Sequence, residues 1–130
     1  MLITVESPLF VMLPRKTKED KKVLLNLNVY RNMHYMVNNQ VKQRYNDLMQ
    51  DRLNFKVEGM FELEFILYKA SNRKVDRANI LCIVEKFFCD ALIYHGCIQD
   101  DNDKIIKKTT YETGGVDKEN PRVEIKIIEC

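Results

Sequence analysis

The sequence predicts an α+β fold: one domain, residues 1–130, in which a small mixed sheet carries a long helix in the N-terminal half and a second amphipathic helix packed on it. Three observations predict it. Apolar residues recur at helical spacing in Met33–Arg52 and again after Asp76. Val57–Tyr68 and Pro121–Glu129 alternate apolar with polar residues, as half-buried strands do. A chain of 130 residues with 45% hydrophobic and 31% charged residues has the length and composition to bury one core without covalent staples.

Taken in order, Leu2–Glu6 carries β-branched residues and reads as a first strand. Pro14–Lys22 is strongly basic and aperiodic, an exposed connection or an arm that contacts phosphate. Lys22–Asn28 reads as a short strand or extended entry segment. In Met33–Arg52 the stripe is Met33, Met36, Val37, Val41, Tyr45, Leu48 and Met49, and Asn28 or Asn32 is placed to cap that helix. In Val57–Tyr68, Phe61, Leu63 and Phe65 share one face, with Glu62 and Glu64 on the solvent side.

The helix after Asp76 groups Ile80, Val84, Phe87, Phe88, Ala91 and Leu92 into one stripe, and Gly96 stops it. Asp76, Asn79, Lys86 and Asp90 share a neighbouring face about 80° wide, with Glu85 roughly opposite and solvated. Cys97–Asp103 is a turn-rich acidic segment. Lys104–Tyr111 and Pro121–Glu129 read as an antiparallel strand pair joined by a polar loop, Glu112–Asn120.

Charge and cysteine content narrow the function classes. Lys and Arg total 21 against 19 Asp and Glu, so bulk charge gives no argument for nucleic-acid binding, and any basic footprint must come from clustering. No apolar run is long enough to span a membrane, and Met1–Glu6 lacks the pattern of a signal peptide. Cys82, Cys89, Cys97 and Cys130 form no C-x-x-C pair and make no zinc spacing with His34 or His95, which leaves reduced thiols in a cytoplasmic setting.

The chemistry gathers between Asp76 and Asp103. Carboxylates at a helix start and in the loop that follows it, with a lysine on the helix, are the parts of a metal-assisted phosphodiesterase. Mg2+, with Mn2+ as the alternative, takes oxygen ligands and keeps several waters, so a few carboxylates suffice. A lysine can stabilise the charge that develops on the phosphate. Each residue also has a plainer use: Asp76 as a helix cap, Lys86 with Asp90 as an ion pair one turn apart, and Asp100, Asp101 and Asp103 as a solvated loop.

Asp76-Arg77-Ala78-Asn79, then Lys86, then Asp90-Ala91-Leu92, then Asp100-Asp101 resembles the D-x-D-N, lysine, D-A-L and D-D series of the RusA-type Holliday junction resolvases. Leu27–Arg31 is similar to that family's entry segment, and Val123–Ile127 to its closing strand. Two departures stand out: Ala78 replaces the second acid of D-x-D-N, and the interval between Asn79 and Asp90 is longer, by about one helical turn.

The resemblance implies a homodimeric, Mg2+-dependent endodeoxyribonuclease, encoded by a phage or prophage and acting in the bacterial cytoplasm, that nicks four-way DNA junctions symmetrically. Asp76, Lys86 and Asp101 would be catalytic. Asp76, Asp90, Asp100 and Asp101 would hold the metal, with Asp90 or Asp100 compensating for Ala78. Lys16, Lys18, Lys21, Lys22, Arg31, Arg73, Lys74, Arg77, Lys104, Lys107 and Lys108 would meet DNA phosphates. Ala78 keeps open a second reading, a junction-binding module with weak or no catalysis. The small net charge keeps open a third, a structural protein that binds no nucleic acid.

Overall fold

The structure, a computed structural model, describes residues 2–130. Among the described residues nine elements follow one another: β1 (Leu2–Ser7), β2 (Phe10–Leu13), β3 (Lys21–Leu24), α1 (Leu27–Arg31), α2 (Tyr35–Met49), β4 (Phe61–Lys69), α3 (Arg77–Tyr94), β5 (Ile106–Val116) and β6 (Arg122–Glu129). Four strands form a mixed sheet in the order β1-β6-β4-β5, and β2 pairs with β3 in a separate two-stranded ribbon. The α+β class, the mixed sheet and the two main helices are as the sequence predicts.

The alternation in β4 places Phe61, Leu63, Phe65 and Leu67 in the core, where they meet Val123, Ile125 and Ile127 of β6. Helix α3 covers that face with Leu81, Val84, Phe87, Phe88, Ala91 and Leu92, all buried. Helix α2 packs beside it, and the Tyr45 and Phe87 rings lie 5.8 Å apart. Tyr45 also ties α2 to β1. The Ser7 hydroxyl donates to the Pro8 carbonyl at 3.1 Å, so in the 2.7 Å contact between the two hydroxyls Tyr45 is the donor. On the open face of the sheet, Arg122 forms ion pairs with Asp117 at 2.8 Å, Glu124 at 3.3 Å and Glu6 at 3.5 Å. Its guanidinium lies 4.2 Å from the centre of the Tyr68 ring.

Several expectations need correction. First, β5 and β6 are not paired: β4 lies between them, antiparallel to β6 and parallel to β5. Alternation tells which face of a strand is buried, not which strand lies beside it. Second, half of the expected loop Glu112–Asn120 is strand. Its glycines form a bulge: Leu67 pairs with Thr113 and Tyr68 with Gly115, so Gly114 is the extra residue. Third, α1 was not foreseen, because five residues are too few to show a period. Fourth, the helix caps lie elsewhere. Asn26 caps α1 by accepting from the Val29 amide, and His34 caps α2 by accepting from Met36. The stripe of α2 is also narrower than expected, since Met36 and Leu48 remain exposed.

Gly114 is where the bulge meets the packing. A Cβ there would lie 2.6 Å from the Tyr68 ring, which Arg122 holds in place. Gly114→Ala is therefore expected to destabilise the fold by about 1–3 kcal/mol, as overpacking does. Urea unfolding measures this, and an unchanged midpoint would remove the close-packing account.

Candidate active site

A turn-capped helix and an edge strand build one cleft. Along α3, Cys82, Glu85, Lys86 and Cys89 are spaced i, i+3, i+4 and i+7, which is one stripe of a helix. That stripe forms one wall of a cleft of about 430 Å³. The opposite wall is Ile106, Thr109 and Tyr111 of β5, and the rim is Asp101, Asn102 and Asp103. Thr109 and Tyr111 point to α3 because alternate residues of a strand share a face. Thr113, the next on that face, accepts a 3.1 Å hydrogen bond from Arg77 at the start of α3.

Of the residues the sequence singles out, the cleft unites Lys86 with Asp101. Lys86 is exposed, and its ammonium lies 5.9 Å from the centre of the Tyr30 ring. Asp101 is exposed on the loop that follows α3.

The other three carboxylates proposed as metal ligands lie apart from the cleft. Asp76 caps α3, accepting from the Ala78 amide at 3.2 Å. About 13 Å of helical rise separates it from Glu85. Asp90 faces α2 and pairs with Lys42 at 3.6 Å rather than with Lys86. Asp100 folds onto its own turn, accepting from the Asp101 amide at 2.7 Å and the Asn102 side chain at 3.0 Å. Those two bonds, the backbone one first, hold its carboxyl below the usual carboxylate range. Among the described residues, no three His, Cys, Asp or Glu side chains converge closely enough to hold a metal ion.

Glu85 is the residue that sequence reasoning missed. It is half-buried in the cleft rather than solvated, and its carboxylate accepts the Tyr111 hydroxyl hydrogen. A helical wheel cannot show this, because the partner comes from β5. The available signal was the 82/85/86/89 stripe itself, which carries the lysine and ends beside Asp90. Burial, then the hydrogen bond to Glu85 and the Glu85 charge, push the Tyr111 phenol up. Burial, then the charges of Glu85, Asp101 and Asp90, push the Cys89 thiol up in the same way. A thiol so raised stays protonated near neutrality, so the charged donors of the cleft are hard carboxylate oxygens.

The basic candidates divide into two groups. Arg77, Lys104, Lys107 and Lys108 lie on the start of α3, the loop and β5, the elements that build the cleft, and Arg73 and Lys74 lead into α3. Lys104 also lines a neighbouring cleft of about 750 Å³ that contains Lys56, Gly59 and Gly96. Lys16, Lys18, Lys21 and Lys22 lie on or between β2 and β3, a separate ribbon, and Arg31 ends α1 next to Tyr30.

A protein-family model described as Endodeoxyribonuclease RusA matches residues 12–128. That span takes in α3, its loop and β5, and the chain belongs to this family. No curated protein matches the chain. No helix among the described residues is long and apolar enough to cross a membrane.

The turn at Asp100 has a pH signature. Its folded carboxyl titrates below the unfolded value of about 3.9. The turn bonds thus contribute in full above that value and are lost as pH falls through the lower folded one. The Asp101 amide resonance should report this as an acid-side transition below the ordinary carboxylate range. A midpoint at or above that range would contradict the Asp100 contacts.

Proposed function

We propose that this member of the endodeoxyribonuclease RusA family cleaves four-way DNA junctions by paired symmetric nicks, with a divalent cation, as a homodimer, and that the cleft between α3 and β5 is its active site. One observation carries the reading: within the span that matches the family, the fold brings Lys86 and Asp101 to a single open cleft. A twofold dimer suits a substrate of near-twofold symmetry.

The donor set suits a hard cation. Asp101 and Asp103 supply carboxylate oxygens, and Mg2+ or Mn2+ takes most of its remaining ligands from water and substrate phosphate, so a preformed cage is not required. When bound, the cation would neutralise charge on the phosphate and acidify water. Lys86 adds a positive charge beside the same phosphate, where negative charge grows as the phosphorus–oxygen bond breaks. Asp76 sets the start of α3, Asp90 fixes its far half against α2, and Asp100 shapes the turn that presents Asp101. Those roles are positional, and they replace a four-carboxylate metal set. Arg77, Lys104, Lys107 and Lys108 stand on the elements that build the cleft and would bind the backbone of the arms, with affinity that falls steeply with salt.

A second reading, junction binding without useful catalysis, draws on Ala78 and on the absence of three converging ligand side chains among the described residues. One assay separates the two. A synthetic four-way junction incubated with protein and Mg2+ should be nicked in pairs, and chelation should stop it. Asp101→Asn and Lys86→Ala should each lower the rate about 10²–10³-fold while leaving junction binding measurable. Tight junction binding without nicking would favour the second reading. Undiminished nicking by Asp101→Asn would exclude the cleft.

A further inference from the structure

We propose that Glu85, oriented by Tyr111, is a further catalytic residue of the cleft, the general base that takes the proton from the attacking water. The inference rests on the reading of the α3–β5 cleft as a nuclease site.

Four observations converge on Glu85. It adjoins Lys86 on the helix stripe and shares the cleft with Asp101. It is half-buried, yet among the described residues no lysine or arginine pairs with it. A half-buried carboxylate without a cationic partner costs stability. If the role were only to tie α3 to β5, a glutamine would accept the Tyr111 hydrogen as well and carry no charge. Finally, Tyr111 holds one carboxylate oxygen, and the second has no hydrogen-bond partner among the described residues. That free oxygen is on a side chain whose rotamer is fixed, which is what a positioned base requires.

Tyr111 is well placed to do the fixing. Its ring lies 5.9 Å from that of Phe65 in an edge-on contact, so the hydroxyl is held from below by the core. Glu85 is the carboxylate that the helix wall supplies to the cleft, on a helix where Ala78 supplies none. Seven residues are nearly two turns, so Glu85 projects within about 20° of Ala78, roughly 10 Å further along α3.

The step balances as a hydrolysis. The water oxygen forms a bond to phosphorus, its proton passes to the free oxygen of Glu85, and one ester phosphorus–oxygen bond breaks. The leaving oxygen takes a proton from solvent, and Glu85 returns its proton to solvent before the next turnover.

The test compares wild type with Glu85→Gln, Tyr111→Phe and Asp101→Asn in single-turnover nicking of a four-way junction across pH, with metal-free junction binding measured alongside. Glu85→Gln keeps the acceptor for Tyr111 and Tyr111→Phe keeps the ring against Phe65, so both should fold. Glu85→Gln should lower the rate about 10²–10³-fold and flatten the rise of rate with pH, with binding unchanged. Tyr111→Phe should lower the rate several-fold without altering binding, and Glu85→Asp should recover part of the loss. If wild type nicks, Asp101→Asn does not, and Glu85→Gln keeps the wild-type rate and pH profile, Glu85 is not the base and the cleft assignment stands. If wild type nicks and Asp101→Asn nicks equally well, the cleft assignment falls and this proposal with it.

Discussion

Phe65 is the contact on which the arrangement depends. It sits fully buried in the middle of β4 and meets Phe88 of α3 edge-on at 6.1 Å and Tyr111 of β5 edge-on at 5.9 Å. Such pairs add roughly 0.5–1.5 kcal/mol beyond the burial of the rings. Their geometric effect is larger than that figure suggests. One side chain sets the height of α3 above the sheet and the position of the Tyr111 hydroxyl on the edge strand. The width of the cleft between α3 and β5 follows from both. Substituting Phe65 would thus disturb the cleft without touching a residue in it.

The carboxylates around α3 divide by what already binds them. Asp76 is engaged by a backbone amide, Asp90 by Lys42, and Asp100 by an amide and a side-chain amide. Each such contact stabilises the local structure and reduces what the group can offer a ligand. Asp101 and Asp103 have no such partner among the described residues, and Glu85 has only Tyr111. The acids of this segment thus differ in their surroundings: some contact the helix and its loop, and others face the cleft.

Much of the fold was legible, for physical reasons that also mark the limit. The alternation in β4 and β6 and the broad stripe of α3 record burial, which one element expresses by itself. The neighbour of β5 is recorded nowhere in β5, and Gly114-Gly115 resembles a turn until the register of β4 shows it to be a bulge. The same limit applies to the site. Lys86 and Asp101 could be found because their spacing is a linear pattern. Glu85 left only the 82/85/86/89 stripe as a mark, since its meaning depends on a tyrosine from another element. The helical wheel erred at Asp90 for a related reason: it places Asp90 beside Lys86, but the side chain leans to α2, where Lys42 offers the opposite charge.

The position of the cleft relative to the sheet bears on the kind of substrate it can take. In open parallel α/β sheets, ligands sit beyond the carboxyl ends of the strands. Here β4, α3 and β5 form the one parallel unit of the sheet, but the cleft runs along the flank of β5, between an edge strand and the middle of a helix. A site at the strand ends is bounded by loops on several sides and suits a small molecule. A site along an edge strand is open at both ends, so a chain can lie across it and continue past. Arg77 stands at the far end of the groove, where it bonds Thr113, and Lys107 and Lys108 are exposed on the same edge strand. The geometry that makes the cleft a poor container for a small ligand is what makes it a workable seat for a polyanion with arms extending in both directions.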